Sequence, residues 1–113
     1  MSVLSDIQAA LATLGIPLET GVFKDKVPEK YIVIVPLVDT FGFHADNAPA
    51  LDVQEARISL YAMSNYMRDK NCIVKALLAQ DFTITDRRYV GYETENGYHQ
   101  YVVDVAKHYE MEE

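Results

Sequence analysis

The sequence predicts one α+β domain spanning residues 1–113, with a mostly antiparallel sheet of about four to five strands and two helices on one face. Two neighbouring patterns predict this fold. Ala56, Ile58 and Leu60 alternate with more polar residues, as in a half-buried strand, and a helical pattern follows directly. A strand that leads into a helix packing back over the sheet is the basic unit of a small α+β domain. The expected order of elements is α-β-β-β-α-β-β.

The first helix is expected from Ser2 to Leu14, because apolar residues recur there at helical spacing. Gly15 ends this helix, and Pro17 prevents it from continuing. The next apolar segment, Leu18–Phe23, is short and predicts a strand at the edge of the sheet. The apolar stripe of the helix comprises Val3, Leu4, Ile7, Ala10, Leu11 and Leu14.

The most apolar segment of the chain, Tyr31–Thr40, predicts a strand that is covered on both faces. Pro36 lacks a backbone N–H, so we expect a bulge or an unpaired position there. Residues 41–51 interrupt the strand pattern with turn-forming residues such as Gly42 and Pro49. This segment predicts a protruding loop, which either contacts a partner or folds over its own phenylalanine side chains.

A second amphipathic helix is predicted after Ser64 and Asn65, because both residue types cap helix N-termini with a side-chain oxygen. With both helices on one face, the other sheet face is expected to expose Tyr and Val side chains, which indicates association. The predicted apolar face of the helix comprises Tyr66, Met67, Ile73, Val74, Leu77 and Leu78.

Two strands rich in aromatic and β-branched residues are predicted at the end of the chain, from Phe82 to Tyr92 and from Tyr98 to Tyr109. The segment between them ends in Asn-Gly, a typical hairpin turn, so the strands should pair antiparallel. Gly91 predicts a bulge. Five of the eight tyrosines fall in this hairpin. They suit a protein interface, although cross-strand packing within the fold explains them equally well.

The composition limits the classes of function. Seventeen acidic residues outnumber ten Lys and Arg, giving a net charge of −7, which disfavours nucleic-acid binding as the main role. The sequence contains no apolar run of about 18 residues and begins without a signal-peptide pattern. With Cys72 as its single cysteine, the chain is expected to be a protein of a reducing cytosol.

The sequence contains no recognised catalytic motif. His44 lies near Asp46 and Asp52, and carboxylates can orient a histidine as a general base. A small α+β ligand-binding domain or enzyme that uses these three residues therefore stays an alternative. The histidines are not spaced as metal ligands, and Cys72 has no CxxC partner. We expect no enzymatic activity and no cofactor or metal.

The order of elements is similar to that of a known family along nearly the whole chain. The first helix ends in Gly-Ile-Pro, and after it come the strand YIVIVPLVDT and the segment HADNAPALDVQEARISLYAM. Residues 53–61 form an alternating strand before the second helix, and Tyr98-His99 begins the last strand. In these features the chain resembles the tail terminators of long-tailed bacteriophages, small tail-completion proteins also called tail-to-head joining proteins.

The resemblance implies a structural virion protein, made in the host bacterial cytoplasm and located at the head–tail junction. Such proteins form a ring, expected to be hexameric, that caps the tail tube and stops its polymerisation. The implied partners are further copies of the chain, the tail tube protein, and the head connector or stopper protein. DNA would pass through the bore without specific binding, and no membrane would be involved.

The subunit or partner interface is expected to use aromatic and arginine side chains, which are enriched in protein interfaces. Tyr101→Asp is accordingly expected to disturb ring assembly. Alternative functions are another neck or minor tail component of a phage, the ligand-binding domain or enzyme described above, and a homodimeric regulatory domain. The candidate interface residues are Phe41, Phe43, Arg87, Tyr89, Tyr98, His99 and Tyr101.

Overall fold

A five-stranded sheet with helices packed on it forms the described part of the chain, which in this computed structural model comprises residues 3–20, 28–45 and 48–110. Residues 38–45, 48–51 and 110 are described by their backbone alone. In chain order the elements are α1 (Val3–Leu11), a 3₁₀ turn (Ala12–Leu14), β1 (Leu18–Thr20), β2 (Lys30–Ala45), β3 (Ala48–Ala62), α2 (Tyr66–Ala79), β4 (Thr83–Glu93) and β5 (Tyr98–Glu110). The predicted α+β class is confirmed.

The strand order is β1-β2-β3-β5-β4, so β1 and β4 lie at the two edges. The pairings β2–β3, β3–β5 and β4–β5 are antiparallel. β1 instead runs parallel to β2, with Leu18 opposite Ile32, so the sheet is mixed rather than purely antiparallel. The predicted edge position of β1 is confirmed, while its predicted end at Phe23 lies outside the described residues.

β2 and β3 pair along almost their whole length in one long hairpin. The prediction of a loop over residues 41–51 is therefore wrong, because both strands run through most of that segment. The pairing register shifts after Pro36, after Phe41 and after Phe43, and each shift offsets the alternation of side chains. These bulges hide the period-2 pattern from the sequence. The bulge predicted at Pro36 is confirmed.

The core lies between the helices and one face of the sheet. α1 buries Val3, Ile7 and Leu11, which confirms its predicted stripe. α1 ends at Leu11, and the 3₁₀ turn that continues it ends at the predicted Gly15, where the backbone is left-handed with φ 72°. The sheet side of the core comprises Ile32, Ile34, Ala56, Ile58, Leu60, Val103 and Val105.

α2 buries Ile73 and Leu77, one helical turn apart, against the same core. Met67 and Leu78, predicted on this apolar face, are 57% and 56% exposed, so their assignment was wrong. The buried stripe is narrow because α2 contacts the sheet along one line, and successive side chains point about 100° apart around the helix axis. Met67 therefore points towards solvent at the N-terminal end of α2, and Leu78 does so at the C-terminal end.

The N-terminal end of α2 differs from its predicted capping. Asn65 occupies the cap position, but its backbone is left-handed with φ 48°, and its side chain makes no capping hydrogen bond. In the β4–β5 hairpin the turn and bulge predictions are confirmed. Gly97 has φ 79° and donates its N–H to Glu93, and the pairing register shifts between Tyr89 and Gly91.

Candidate assembly surface

Four tyrosines and a histidine form one aromatic cluster where β4, β5 and the start of α2 meet. The β4–β5 register places Tyr89 opposite Tyr101 and Tyr92 opposite His99, on the face that also packs against the helices. Tyr66, the first residue of α2, covers these rings from the helix side. The aromatic cluster therefore comprises Tyr66, Tyr89, Tyr92, His99 and Tyr101.

The rings are close enough for direct contact. The Tyr66 ring centroid lies 5.2 Å from those of both Tyr89 and His99, and Tyr92 lies 4.7 Å from His99. The Tyr89 hydroxyl and His99 Nδ1 are 2.9 Å apart and share a hydrogen bond. The Lys70 ammonium lies 5.2 Å from the centroid of the Tyr101 ring, in cation–π geometry. These contacts fix the orientation of the cluster.

The outer side of the cluster is exposed and apolar. Tyr89 and Tyr92 are both exposed, with Tyr92 at 51%, although each contacts other rings. Met63 and Met67 are exposed as well. Met63 lies close to Tyr92, since its methyl group and the Tyr92 hydroxyl would both lie within 4 Å of a Cβ at Gly97, and Met67 follows Tyr66 at the start of α2. We call Met63, Met67, Tyr89 and Tyr92 the aromatic–methionine surface. Side chains of this kind are typical of protein interfaces.

Four of the predicted interface residues lie on this side of the sheet. Tyr89, His99 and Tyr101 belong to the aromatic cluster, and the exposed Arg87 lies two residues before Tyr89 on β4. Tyr101 is half-buried and packs under Tyr66, so replacing it would also disturb the fold. The exposed Tyr92 is therefore the better probe of assembly.

The other three predicted residues lie elsewhere. Tyr98 faces away from the cluster because neighbouring strand residues point to opposite faces. Its side chain is buried against the edge of the Tyr31 ring, and its hydroxyl donates a hydrogen bond to the carbonyl of Pro28. Phe41 and Phe43 lie in β2, and their side chains are outside the description. The predicted set thus does not form one surface.

Tyr66, Tyr92, Met63 and Met67 were not among the predicted interface residues. A two-residue Asn-Gly turn would place Tyr92 opposite Tyr101, whereas the observed four-residue turn places it opposite His99. Either register puts Tyr92 beside an aromatic ring of β5, so the hairpin pattern would have identified this tyrosine. Tyr66 was assigned to the buried face of α2, which its ring contacts partly support. No pattern in the sequence marks the methionines, because their position depends on how α2 crosses the sheet.

The sheet face that points away from the helices, which we call the far face, is better covered than its sequence suggests. Tyr31 stacks on Tyr61 with ring centroids 4.7 Å apart, and Gln100 donates a hydrogen bond of 3.0 Å to the Tyr61 hydroxyl. Tyr98 and Val102 are buried on this face, and Val35 is 38% exposed at its edge. Among the described side chains of this face, the prediction of a broad exposed surface of Tyr and Val is wrong.

An ion pair lies in the middle of the far face. Arg57 and Asp104 are cross-strand neighbours and form two hydrogen bonds, of 2.9 Å from Nε and 3.0 Å from Nη2. Asp86 of β4 lies opposite Asp104 in the strand register, and Arg88 forms an ion pair with Asp86. Bidentate geometry of this kind fixes both side chains.

The alternative site of His44, Asp46 and Asp52 is not a cluster of described side chains. Asp46 lies outside the described residues, and His44 is described by its backbone alone. In the hairpin register Asp52 pairs with Phe41, three positions from His44, which corresponds to roughly 10 Å along the strand. Within the described ranges, no group of three or more His, Cys, Asp or Glu side chains is arranged to hold a metal ion.

A cleft of about 400 Å³ lies beside the N-terminal end of α2. Its walls include Met63, Arg68 and Cys72, and the ion pair of Lys30 with Asp69, 3.3 Å long, lies at its rim. Both signs of charge are present and are partly paired with each other. This arrangement does not indicate one class of ligand.

Comparisons with protein-family models and with curated proteins find no match to this chain. Among the described segments, no helix has the length and apolar character needed to cross a bilayer. The function proposed below is therefore argued from the surfaces of the chain and from the pattern of its sequence.

The partly buried tyrosines predict loss of stability at alkaline pH. Burial raises the pKa of Tyr109, and the 2.5 Å hydrogen bond that its hydroxyl donates to Asp6 raises this pKa further. Burial also raises the pKa of Tyr31 and of Tyr61. Since the unfolded chain then loses these protons first, the stabilisation is complete below the ordinary tyrosine pKa of 10.0 and declines above it.

Urea denaturation from about pH 9 to about pH 11 measures this effect. Tyr109→Phe should lower the stability at the acid end but flatten its decline with pH. Tyr92→Phe is the matched control, because that ring is exposed, and it should leave the slope unchanged. Equal slopes for all three proteins would contradict the assignment of the effect to Tyr109.

Proposed function

We propose that the chain is a structural virion protein, a tail terminator that assembles into a hexameric ring at the end of a phage tail tube. The observation that supports this most directly is the presence of two unlike exposed apolar surfaces on opposite sides of the sheet. One is the aromatic–methionine surface beside β4. The other is the open edge of β2, where Val35 and Leu37 are exposed.

The described part of β1, Leu18–Thr20, pairs with residues 32–34 of β2. From Val35 onward, β2 has no strand on its outer side among the described residues. Two different surfaces on one subunit favour head-to-tail contacts, and such contacts close into a ring when the rotation between subunits permits it. A two-fold dimer would instead use one surface paired with itself.

The charge of the chain fits the same proposal. A net charge of −7 repels the phosphate backbone, so DNA would pass through the bore of such a ring without specific binding. The proposed partners are further copies of the chain, the tail tube protein on one side and the head connector or stopper protein on the other. The proposal requires no catalytic activity, cofactor or membrane.

Electron microscopy of gold-labelled protein mixed with tail tubes that lack their terminator tests this proposal. We expect label at one end of each tube and no further growth when tube protein is added. Gold particles coupled to an unrelated acidic protein of similar size provide the control. Label along the tubes, or no label on them, would exclude the tail-terminator function.

A further inference from the structure

We propose that the outer part of the β2–β3 hairpin of one copy docks on the aromatic–methionine surface of the next copy. We call residues 38–45 and 48–51 the arm. This inference rests on the head-to-tail assembly proposed above. It places the arm, which continues β2 beyond the exposed Val35 and Leu37, against the aromatic–methionine surface. It follows from the reach of the arm and its charge.

The arm extends beyond the elements that cover the rest of the sheet. The last pair of β4 with β5, Thr83 with Ala106, lies level with Val38 at the base of the arm. The first described residue of α1, Val3, bonds the Gln54 side chain at nearly the same level. Farther out, β5 is the one described strand that pairs with the hairpin, as far as Leu51, and the described residues beyond Leu51 form a two-stranded ribbon. A two-stranded ribbon is at best marginally stable by itself, so packing against another element would stabilise it.

The arm cannot reach the aromatic–methionine surface of its own chain. That surface lies at the level of Ala62, which pairs with His99, whereas the outermost described residue of β3 is Ala48. Fourteen residues of β-strand correspond to roughly 46 Å, which nearly matches the 54 Å length of the molecule. The two surfaces lie at opposite ends, so only another copy can bring them together.

The charges at the two ends are complementary. Residues 31–56 contain four acidic residues and neither Lys nor Arg. The aromatic–methionine surface is bordered instead by Arg68, Lys70 and Arg87. Among the neighbouring acids, Asp69 pairs with Lys30 and Asp86 pairs with Arg88, while Glu93, next to Tyr92, accepts a hydrogen bond from the Asn96 side chain. Of the four acidic residues in 31–56, Asp39 lies in the arm and Asp52 follows it directly, whereas Asp46 lies outside the described residues and Glu55 lies four residues beyond the arm.

Three single substitutions test the docking. Phe43→Asp changes the arm, Tyr92→Asp changes the aromatic–methionine surface, and Leu78→Asp is the matched control on an equally exposed apolar residue outside both. We expect rings for the wild type and the control, and monomers of 12.8 kDa for the other two, by native mass spectrometry. Circular dichroism checks that each variant is folded, and Phe43→Ser or Tyr92→Ser replaces a variant that is not.

Mixing the arm variant with the surface variant gives the sharpest result. The arm variant keeps an intact surface and the surface variant keeps an intact arm, so one interface survives between them. We expect a one-to-one dimer and no larger species. A mixture that stays monomeric, rings formed by either variant alone, or a wild type that is monomeric would each overturn the docking.

The tube-labelling experiment separates this inference from the proposed function. Wild-type protein that labels tube ends, together with variants that still form rings, would leave the tail-terminator function standing and exclude the arm contact. Rings that depend on the arm but never bind tube ends would give the opposite answer. Ring formation through the arm is also expected to weaken as ionic strength rises, because salt screens the attraction between unlike charges.

Discussion

Ile58→Ala is expected to lower the free energy of unfolding by about 3–4 kcal/mol, the usual range for a large core side chain whose cavity cannot collapse. Ile58 is fully buried in β3, between Ile34 of β2 and Val103 of β5. Both helices pack over this part of the sheet. Truncation therefore removes contacts with three strands and two helices at once, and the paired backbones prevent the space from closing.

Urea denaturation monitored by circular dichroism measures the loss, with an unchanged m-value as evidence of an unaltered two-state transition. Val35→Ala is the control, because that side chain is exposed at the edge of β2 and should cost less than about 1 kcal/mol. Similar losses for the two variants would contradict the position of the core. An Ile58→Ala protein that is unfolded without urea would set only a lower limit on the effect.

The sequence predicted those parts of the fold in which one local pattern is regular. α1 has an uninterrupted stripe ending at Gly15, and β5 pairs with β3 without a register shift. The Asn-Gly dipeptide before Tyr98 sets the turn of the last hairpin. In each case the periodicity of the side chains and the burial of one face agree, so the sequence is sufficient to predict the element.

The parts that were missed depend on contacts distant in sequence. The strands through residues 41–51 contain bulges, which break the alternation, and the pairing with the opposite strand stabilises them instead. Asn65 precedes α2 in a left-handed backbone conformation, and its side chain makes no capping hydrogen bond. The parallel direction of β1 follows from where the chain returns to the sheet, which no short pattern encodes.

The candidate surface was predicted in part for the same reason. Tyr89, His99 and Tyr101 were found because tyrosine and histidine are concentrated in the last hairpin. Strand alternation alone separates Tyr98 from His99, and applying it would have moved Tyr98 to the far face. Tyr66 joins the cluster only through the packing of α2 across the sheet.

Arg57→Leu is expected to destabilise the protein by about 3 kcal/mol, at the lower end of the range for breaking a buried ion pair. The Asp104 side chain is only 12% exposed, so without Arg57 its carboxylate is left in a poorly hydrated site. Asp86 lies directly opposite it on β4, which adds repulsion between like charges. The Arg57 side chain is 35% exposed, and the entry of water limits the loss.

Asp104→Leu should cost less, about 1–2 kcal/mol, because a partly exposed guanidinium is more easily rehydrated and keeps Asp86 nearby. The double variant should be within about 1 kcal/mol of the wild type, since two apolar side chains of similar size replace the pair without leaving a buried charge. A double-mutant cycle by urea denaturation measures this coupling. If the double variant loses as much as the two single variants together, the residues act independently. In that case the ion pair would not be what stabilises the centre of the far face, and packing of Val102 and Ser59 around it would explain the burial instead.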